Sequence, residues 1–392
     1  MTKPVIQILK IIICIFIILG LTGCWNRREL NTLAIVMGVG FDKTEESEQI
    51  QVTAQIAKPS EMKSAKSNDG GGSSANAYWN IKNTGNEVFT TFRGFTHQSN
   101  RKLFFPHIEV LIFSRPIAEE GVQKYVDFFL RDHEARLGVW VLVAQDNANE
   151  ILDVPPRLEK IPATNISQLV DAQRATSEST VVKLYQFANR LMSKTTAPIA
   201  PLIEISGQGK DQTLVVSGTA VFKQDKLVGQ LNKRETRGLL WVIDEVKSGI
   251  IDVECKDGSG KVSLEIIRAK SKIKPEISND KIRMKINIEE EGNIGSQSCL
   301  ENMDLPPEIE ALEQEKAAVI ESEVMAALTK ARKLNADIFG FGELIHKKHP
   351  RQWKELENRW DEIFPDIEVE VKVDAKLRRA GRLSSTAVPA KE

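Results

Sequence analysis

Residues 307–335 read PEIEALEQEKAAVIESEVMAALTKARKLN. Ile309, Leu312, Ile320, Val324, Ala327, Leu328, Ala331 and Leu334 mark one apolar stripe at helical spacing. Pro306 and Pro307 suit a first helical turn, and Glu308 and Glu310 lie near its positive end. A helix of this length needs a surface to cover, and three flanking segments offer one. Val262, Leu264 and Ile266 alternate with polar neighbours, as do Ile282, Met284, Ile286 and Ile288. Ile367, Val369, Val371 and Val373 alternate with Glu368, Glu370, Lys372 and Asp374. A period of two buries one face and wets the other, which favours antiparallel pairing. The expectation is an antiparallel sheet covered by one long helix, a two-layer α+β unit.

Working toward the N-terminus, TLVVSGTAVF (213–222) and KLVGQL (226–231) flank a tight turn, and a short helix follows in KRETRGLLWVID (233–244). KTTAPIAPLIE (194–204) reads as a linker because it holds two prolines in four residues. Two polar helices are expected before it, near 163–175 and 178–193. Earlier still, LAIVMGV (33–39) is a continuous apolar run and reads as a buried strand. Residues 50–56 alternate and pair back on it as a hairpin. Residues 58–77, rich in Gly, Ser and Lys, read as a mobile surface loop. Helical stripes at Val88–Phe95 and Ile117–Phe129 alternate with strands in HIEVLIF (107–113) and LGVWVLVA (137–144), so the first half is a mixed sheet with helices packed on it. The main boundary is placed between 24–200 and 201–383. A second break near 300 is left open, and 384–392 is expected to be a disordered tail.

The chain opens with Lys3, Lys10 and an apolar run from Ile11 to Leu21, followed by Thr22, Gly23 and Cys24. A basic start, a short apolar core and small residues at the cut make residues 1–23 a secretory signal. The run is too short for a membrane span, which needs roughly 20 apolar residues. Leu-Thr-Gly-Cys resembles the bacterial lipobox, so Cys24 is expected to carry a diacylglycerol and to become the new N-terminus. Two acyl chains suffice for stable anchoring. Trp25 suits the headgroup level, and Arg27 and Arg28 are placed to meet anionic phosphates, giving a membrane-proximal tether. Trp25 packed in the core of the first domain is the other reading.

Removing the signal takes away two lysines and moves the net charge from −1 to −3, which leaves no electrostatic footprint for nucleic acid. Cys255 and Cys299 remain as thiols, and export permits a disulfide between them. No catalytic or cofactor motif assembles. DGSGKVS (257–263) lacks the first glycine and the Ser/Thr of a phosphate loop and reads as a hairpin turn. GVGFD (38–42) lacks the third glycine of a dinucleotide fingerprint. His346 and His349 have metal-like spacing, but Lys347 and Lys348 lie between them and no third ligand is near, so no metal site is assigned.

CWNRRELNTLAIVMGVGFD (24–42) resembles the mature N-terminus of the Ger(x)C family, the C-subunit lipoproteins of bacterial spore germinant receptors, with Asn26 where that family usually has Asp. The likeness continues through FPHIEVLIFSRPIAEEGV (105–122), GTAVFKQDKLVGQLNKRETRGLLWV (218–242) and DIFGFGELIHKKHPRQW (337–353) to the closing strand. The resemblance implies an α+β architecture in three parts and a non-enzymatic protein. It also implies a place outside the spore's inner membrane. There the protein would work with two integral membrane subunits, of A and B type, that respond to small nutrients. A solute-binding lipoprotein of a transporter is the alternative; such proteins usually show two similar lobes, which this chain does not suggest. An extracytoplasmic enzyme is a third reading, disfavoured by the missing catalytic set.

DIFGFGELIHKKHP (337–350) is expected to end the long helix, because Gly340 and Gly342 are costly within one. Folding back there would let Trp353, Trp360 and Phe364 dock near the sheet. Phe341 is then either part of that aromatic packing or a contact for a partner subunit.

Overall fold

The computed structural model describes residues 3–5, 7–8, 29, 32–44, 49–62, 76–132, 134–255, 258, 260–278, 281–299 and 305–379. Most of the expected surface loop at 58–77, the break near 300 and the tail at 384–392 lie outside the described residues.

The first half is built on β1 (Leu33–Lys43), β2 (Ile50–Ala57) and β3 (Tyr78–Gly85), an antiparallel meander. Helix α1 (Val88–Gly94) leads to the short β4 (Lys102–Phe104), parallel to the start of β1, and then to β5 (Val110–Phe113). The expected single helix over 117–129 is two: α2 (Arg115–Glu120) and α3 (Gln123–Arg131), parted at Gly121, whose φ of 138° no helix accommodates. Next come β6 (Trp140–Ala144), α4 (Ala148–Asp153), α5 (Pro162–Ala172) and α6 (Leu184–Leu191). They are followed by β7 (Ile199–Ser206), β8 (Thr213–Lys223) and β9 (Lys226–Leu231). The strands form one sheet in the order β3-β2-β1-β5-β6-β7-β8-β9, with β4 beside β1; the central pairs from β1 to β7 are parallel.

Both faces of this sheet are covered, so its central strands are apolar without alternation. On one face Phe41 stacks on Phe113 at 5.5 Å and meets Tyr125 at 4.7 Å, within a cluster that includes Phe92 and Phe129. On the other face Ile151, Leu152, Ile166 and Val170 pack on Val110, Ile112 and Leu142.

Two expectations fail here. The linker at 194–204 is largely a buried strand, β7, which crosses the boundary placed at 200; Pro201 sits at an irregularity in its pairing with β8, where the missing N–H is tolerated. The helix expected over 178–193 begins only at Leu184. Before it the chain is extended, with Ser179 bridging Gly218 and Lys183 bridging Trp140. The β-branched run Thr180-Val181-Val182 suits that conformation.

In the second half α7 (Lys233–Val242) opens with a capping box between Asn232 and Glu235. A four-stranded sheet follows: β10 (Gly249–Glu254), β11 (Lys261–Ser278), β12 (Lys281–Gln297) and β13 (Glu368–Arg379). β10, β11 and β12 are antiparallel. The closing strand, expected to be antiparallel too, runs parallel to β12, with Arg283 opposite Glu368 and Ile288 opposite Val373. The reason is the connection. Helix α8 (Pro306–Leu334) carries the chain back along the sheet, so β13 enters at the end where β12 began. Alternation reports which face a residue occupies, not strand direction.

Candidate functional site

The stripe of α8 contains two buried charges that its periodicity did not announce. Lys316 donates to Glu290 on β12 at 2.7 Å, and both side chains are fully buried. Burial pushes the Glu290 carboxyl up and the Lys316 ammonium down. Gly292 leaves the room this pair needs: a Cβ there would lie 2.1 Å from Lys316 Nζ. One helical repeat further on, Glu323 accepts both a fork from Arg237 of α7 and the indole N–H of Trp241 at 2.8 Å. Arg237 also donates to the Ile250 carbonyl of β10 at 2.9 Å. The two helices touch at Gly238, where a Cβ would sit 1.9 Å from the Glu323 carbonyl oxygen. These groups fix the register of α7 and α8 on the sheet.

Two further carboxylates organise turns. Asp42, at the end of GVGFD, accepts from the backbone N–H of Ala148 at 2.6 Å and of Asn149 at 2.9 Å, holding the start of α4 on β1. Asp337 accepts from Gly340, Phe341 and Gly342 at 2.9, 3.0 and 2.9 Å. Burial pushes each carboxyl up to about 6. Beside Asp337, Arg190 donates to the carbonyls of Ala197 and Ile338, and Thr196 bridges Asp337, so this turn seals the second half onto the segment that leads into β7.

The long helix itself ends one turn earlier than the glycines, at Asn335, which takes the left-handed conformation at φ 46°. Gly340, at φ 75°, precedes α9 (Phe341–Lys348), and α10 (Pro350–Leu356) follows. Phe341 is 1% exposed, stacked on Phe339 at 5.0 Å and 6.5 Å from Phe364. Such a side chain offers nothing to a partner, so the reading of Phe341 as a contact is set aside and the aromatic packing stands. Trp353 and Trp360 join the same cluster, and His346 stacks on Trp353. His349 ends α9.

Cys24, Trp25, Arg27 and Arg28 lie outside the described residues. Cys255 and Cys299 are joined by a disulfide with a Cα–Cα distance of 5.8 Å, tying the end of β10 to the chain after β12. No group of three His, Cys, Asp or Glu side chains among the described residues could hold a metal ion.

Two roomy concavities lie among the described residues. One, of about 650 Å³, lies between α1 and α3 and is floored by the stacked Phe92–Phe128 pair. The other, of about 600 Å³, lies where β1, β5 and β6 begin, lined by Ile35, Met37, His107, Arg136 and Trp140. Lys183 Nζ stands 4.5 Å over the Trp140 ring.

Residues 26–205 match the spore germination protein N-terminal domain, and residues 217–381 match the C-terminal domain described as spore germination B3/GerAC like. The chain belongs to the Ger(x)C family. It is 26% identical to spore germination protein KC of Bacillus subtilis (strain 168), over 93% of each chain. It is 26% identical to spore germination protein YndF of the same organism, over 96% of this chain and 97% of the relative. With spore germination protein GerQC of Bacillus cereus the identity is 23%, over 95% of this chain and 98% of the relative. The fold is similar to the crystal structure of the GerBC protein, with a TM-score of 0.53 at 18% identity, covering 87% of this chain and 96% of that one.

Proposed function

We propose that the chain is the C-type subunit of a spore nutrient-germinant receptor. A diacylglycerol on Cys24 would tether it to the outer face of the cell or spore inner membrane. It would act by assembly with integral membrane subunits of A and B type. The observation that carries this reading is coverage: both germination-protein domains match in order, and relatives named as spore germination proteins align nearly end to end. The apolar run ending in Leu-Thr-Gly-Cys supports the anchor, and Trp25, Arg27 and Arg28 suit a headgroup layer. The solute-binding alternative calls for two like lobes. The described residues instead form a nine-stranded sheet and a four-stranded one of different strand order, which argues against it.

Deleting the chain from its spore former tests the role. The expected result is a lost or slowed response to one set of nutrients, with non-nutrient triggers spared. Unchanged responses to every nutrient, with no paralogue present, would contradict it.

A further inference from the structure

We infer that the groove at the base of the first sheet is a membrane-docking face, a second contact with anionic lipid beyond the acyl anchor. The inference rests on the anchored reading above. From Cys24 to Leu33 there are nine residue steps, and a fully extended chain gains at most about 3.6 Å per step. The start of β1 is therefore held within roughly 30 Å of the lipid carrying Cys24. The groove opens beside that start, with Ile35 and Met37 of β1 in its wall.

Its rim combines what a bilayer surface selects. Met62, Leu137 and Tyr185 are 44%, 43% and 45% exposed, although all are large and apolar or aromatic. Leu137 and Tyr185 are neighbours, since the Tyr185 N–H donates to the Leu137 carbonyl at 3.1 Å. Tyrosine suits the headgroup boundary, where one end of the ring is dry and the other wet. Arg136 and Lys183 line the same groove, and neither has an ion-pair partner among the described residues. Lys160 reaches the rim, donating to the Met62 carbonyl at 2.6 Å. Against these cations stand Glu61 and Glu109, the latter accepting from Thr164 at 3.0 Å. Cations with no carboxylate partner, beside exposed apolar side chains on a face leashed to the lipid, match anionic headgroups over a boundary of acyl chains.

The test uses the mature chain carrying Cys24→Ser, so that no acyl group contributes, floated with vesicles of phosphatidylcholine with or without phosphatidylglycerol. The expected result is flotation with the anionic vesicles and little with the neutral ones. Arg136→Gln with Lys183→Gln should weaken anionic binding about thirty-fold, the loss of two such charges near an anionic surface. Leu137→Ser with Tyr185→Ser should weaken it as well; all four positions are at the rim, and circular dichroism checks that the fold is kept. Arg27→Gln with Arg28→Gln, run in parallel, separates the tether from the face. Absence of flotation, or flotation unaffected by the Arg136 and Lys183 changes, would overturn the inference. So would a pair of variants that float normally but no longer recover membrane subunits, which would make the groove a protein interface. Diacylglycerol labelling at Cys24 is read separately: labelling without vesicle binding sinks the docking face alone, and vesicle binding without labelling sinks the anchor alone.

Discussion

Replacing Arg237 by Met breaks the junction of α7, α8 and β10 while keeping an unbranched, flexible side chain in its place. The guanidinium is 13% exposed and Glu323 is 3% exposed. Arg237→Met leaves that carboxylate with only the Trp241 N–H, and leaves the Ile250 carbonyl without its side-chain donor. Orphaning a buried charge in this way costs about 3–5 kcal/mol. Trp241→Phe removes one N–H donor from the same carboxylate while keeping most of the ring, which should cost about 1.5–3 kcal/mol. Arg237→Met with Glu323→Leu removes both charges, and a packed apolar pair of this kind is often neutral or stabilising. The double variant should therefore recover most of the loss. Urea unfolding of the mature chain measures these three together with Glu323→Leu alone, and the Arg237/Glu323 cycle isolates the coupling. An Arg237→Met penalty below about 1 kcal/mol, or a double variant as unstable as the single, would refute the role given to this network.

Phe341→Ala empties a buried site and should cost about 3–5 kcal/mol, with any germination defect tracking the lowered melting temperature; unchanged stability with lost germination would restore the interface reading. Asp42 and Asp337, pushed up to about 6 by burial, hold protons in the fold that the unfolded chain releases near pH 4. Their contribution is therefore most favourable below about pH 4 and declines as pH rises through about 6, by about 3 kcal/mol per group. Melting temperatures from pH 4 to 7 should fall less steeply for Asp337→Asn than for the parent. Opening the Cys255–Cys299 bridge, which spans 44 residues of sequence, should lower stability by about 2–4 kcal/mol. An unchanged melting temperature in reducing buffer would speak against a structural role for the bond.

Elements whose apolar period is strong were readable in the sequence. The stripe from Ile309 to Leu334 gave α8 to within a residue at each end, and the alternation in β11, β12 and β13 gave the buried face of the second sheet. Strand direction was not readable, because an alternating pattern reads the same either way along the chain. β7 was hidden by Pro198 and Pro201, which suggest a loop locally but are tolerated beside an irregularity in the pairing. β10, short and set between polar residues, gave too few alternations to stand out. The buried network escaped for a different reason. Lys316 and Glu323 look like solvated residues on a charged helix, and only partners from β12 and α7 make them core. Asp42 and Asp337 work through backbone N–H groups, which leave no trace in side-chain pattern. Exposed Leu137 and Tyr185 became visible as neighbours only once β6 and α6 were placed.

The central claim is tested most directly by recovering the tagged full chain from detergent-solubilised spore inner membranes and identifying what comes with it. The account predicts that integral membrane subunits of A and B type co-purify with it, and that Cys24→Ala, which should block diacylglycerol labelling, sharply lowers their recovery. A chain recovered alone, or one found in the soluble fraction with Cys24 intact, would contradict it.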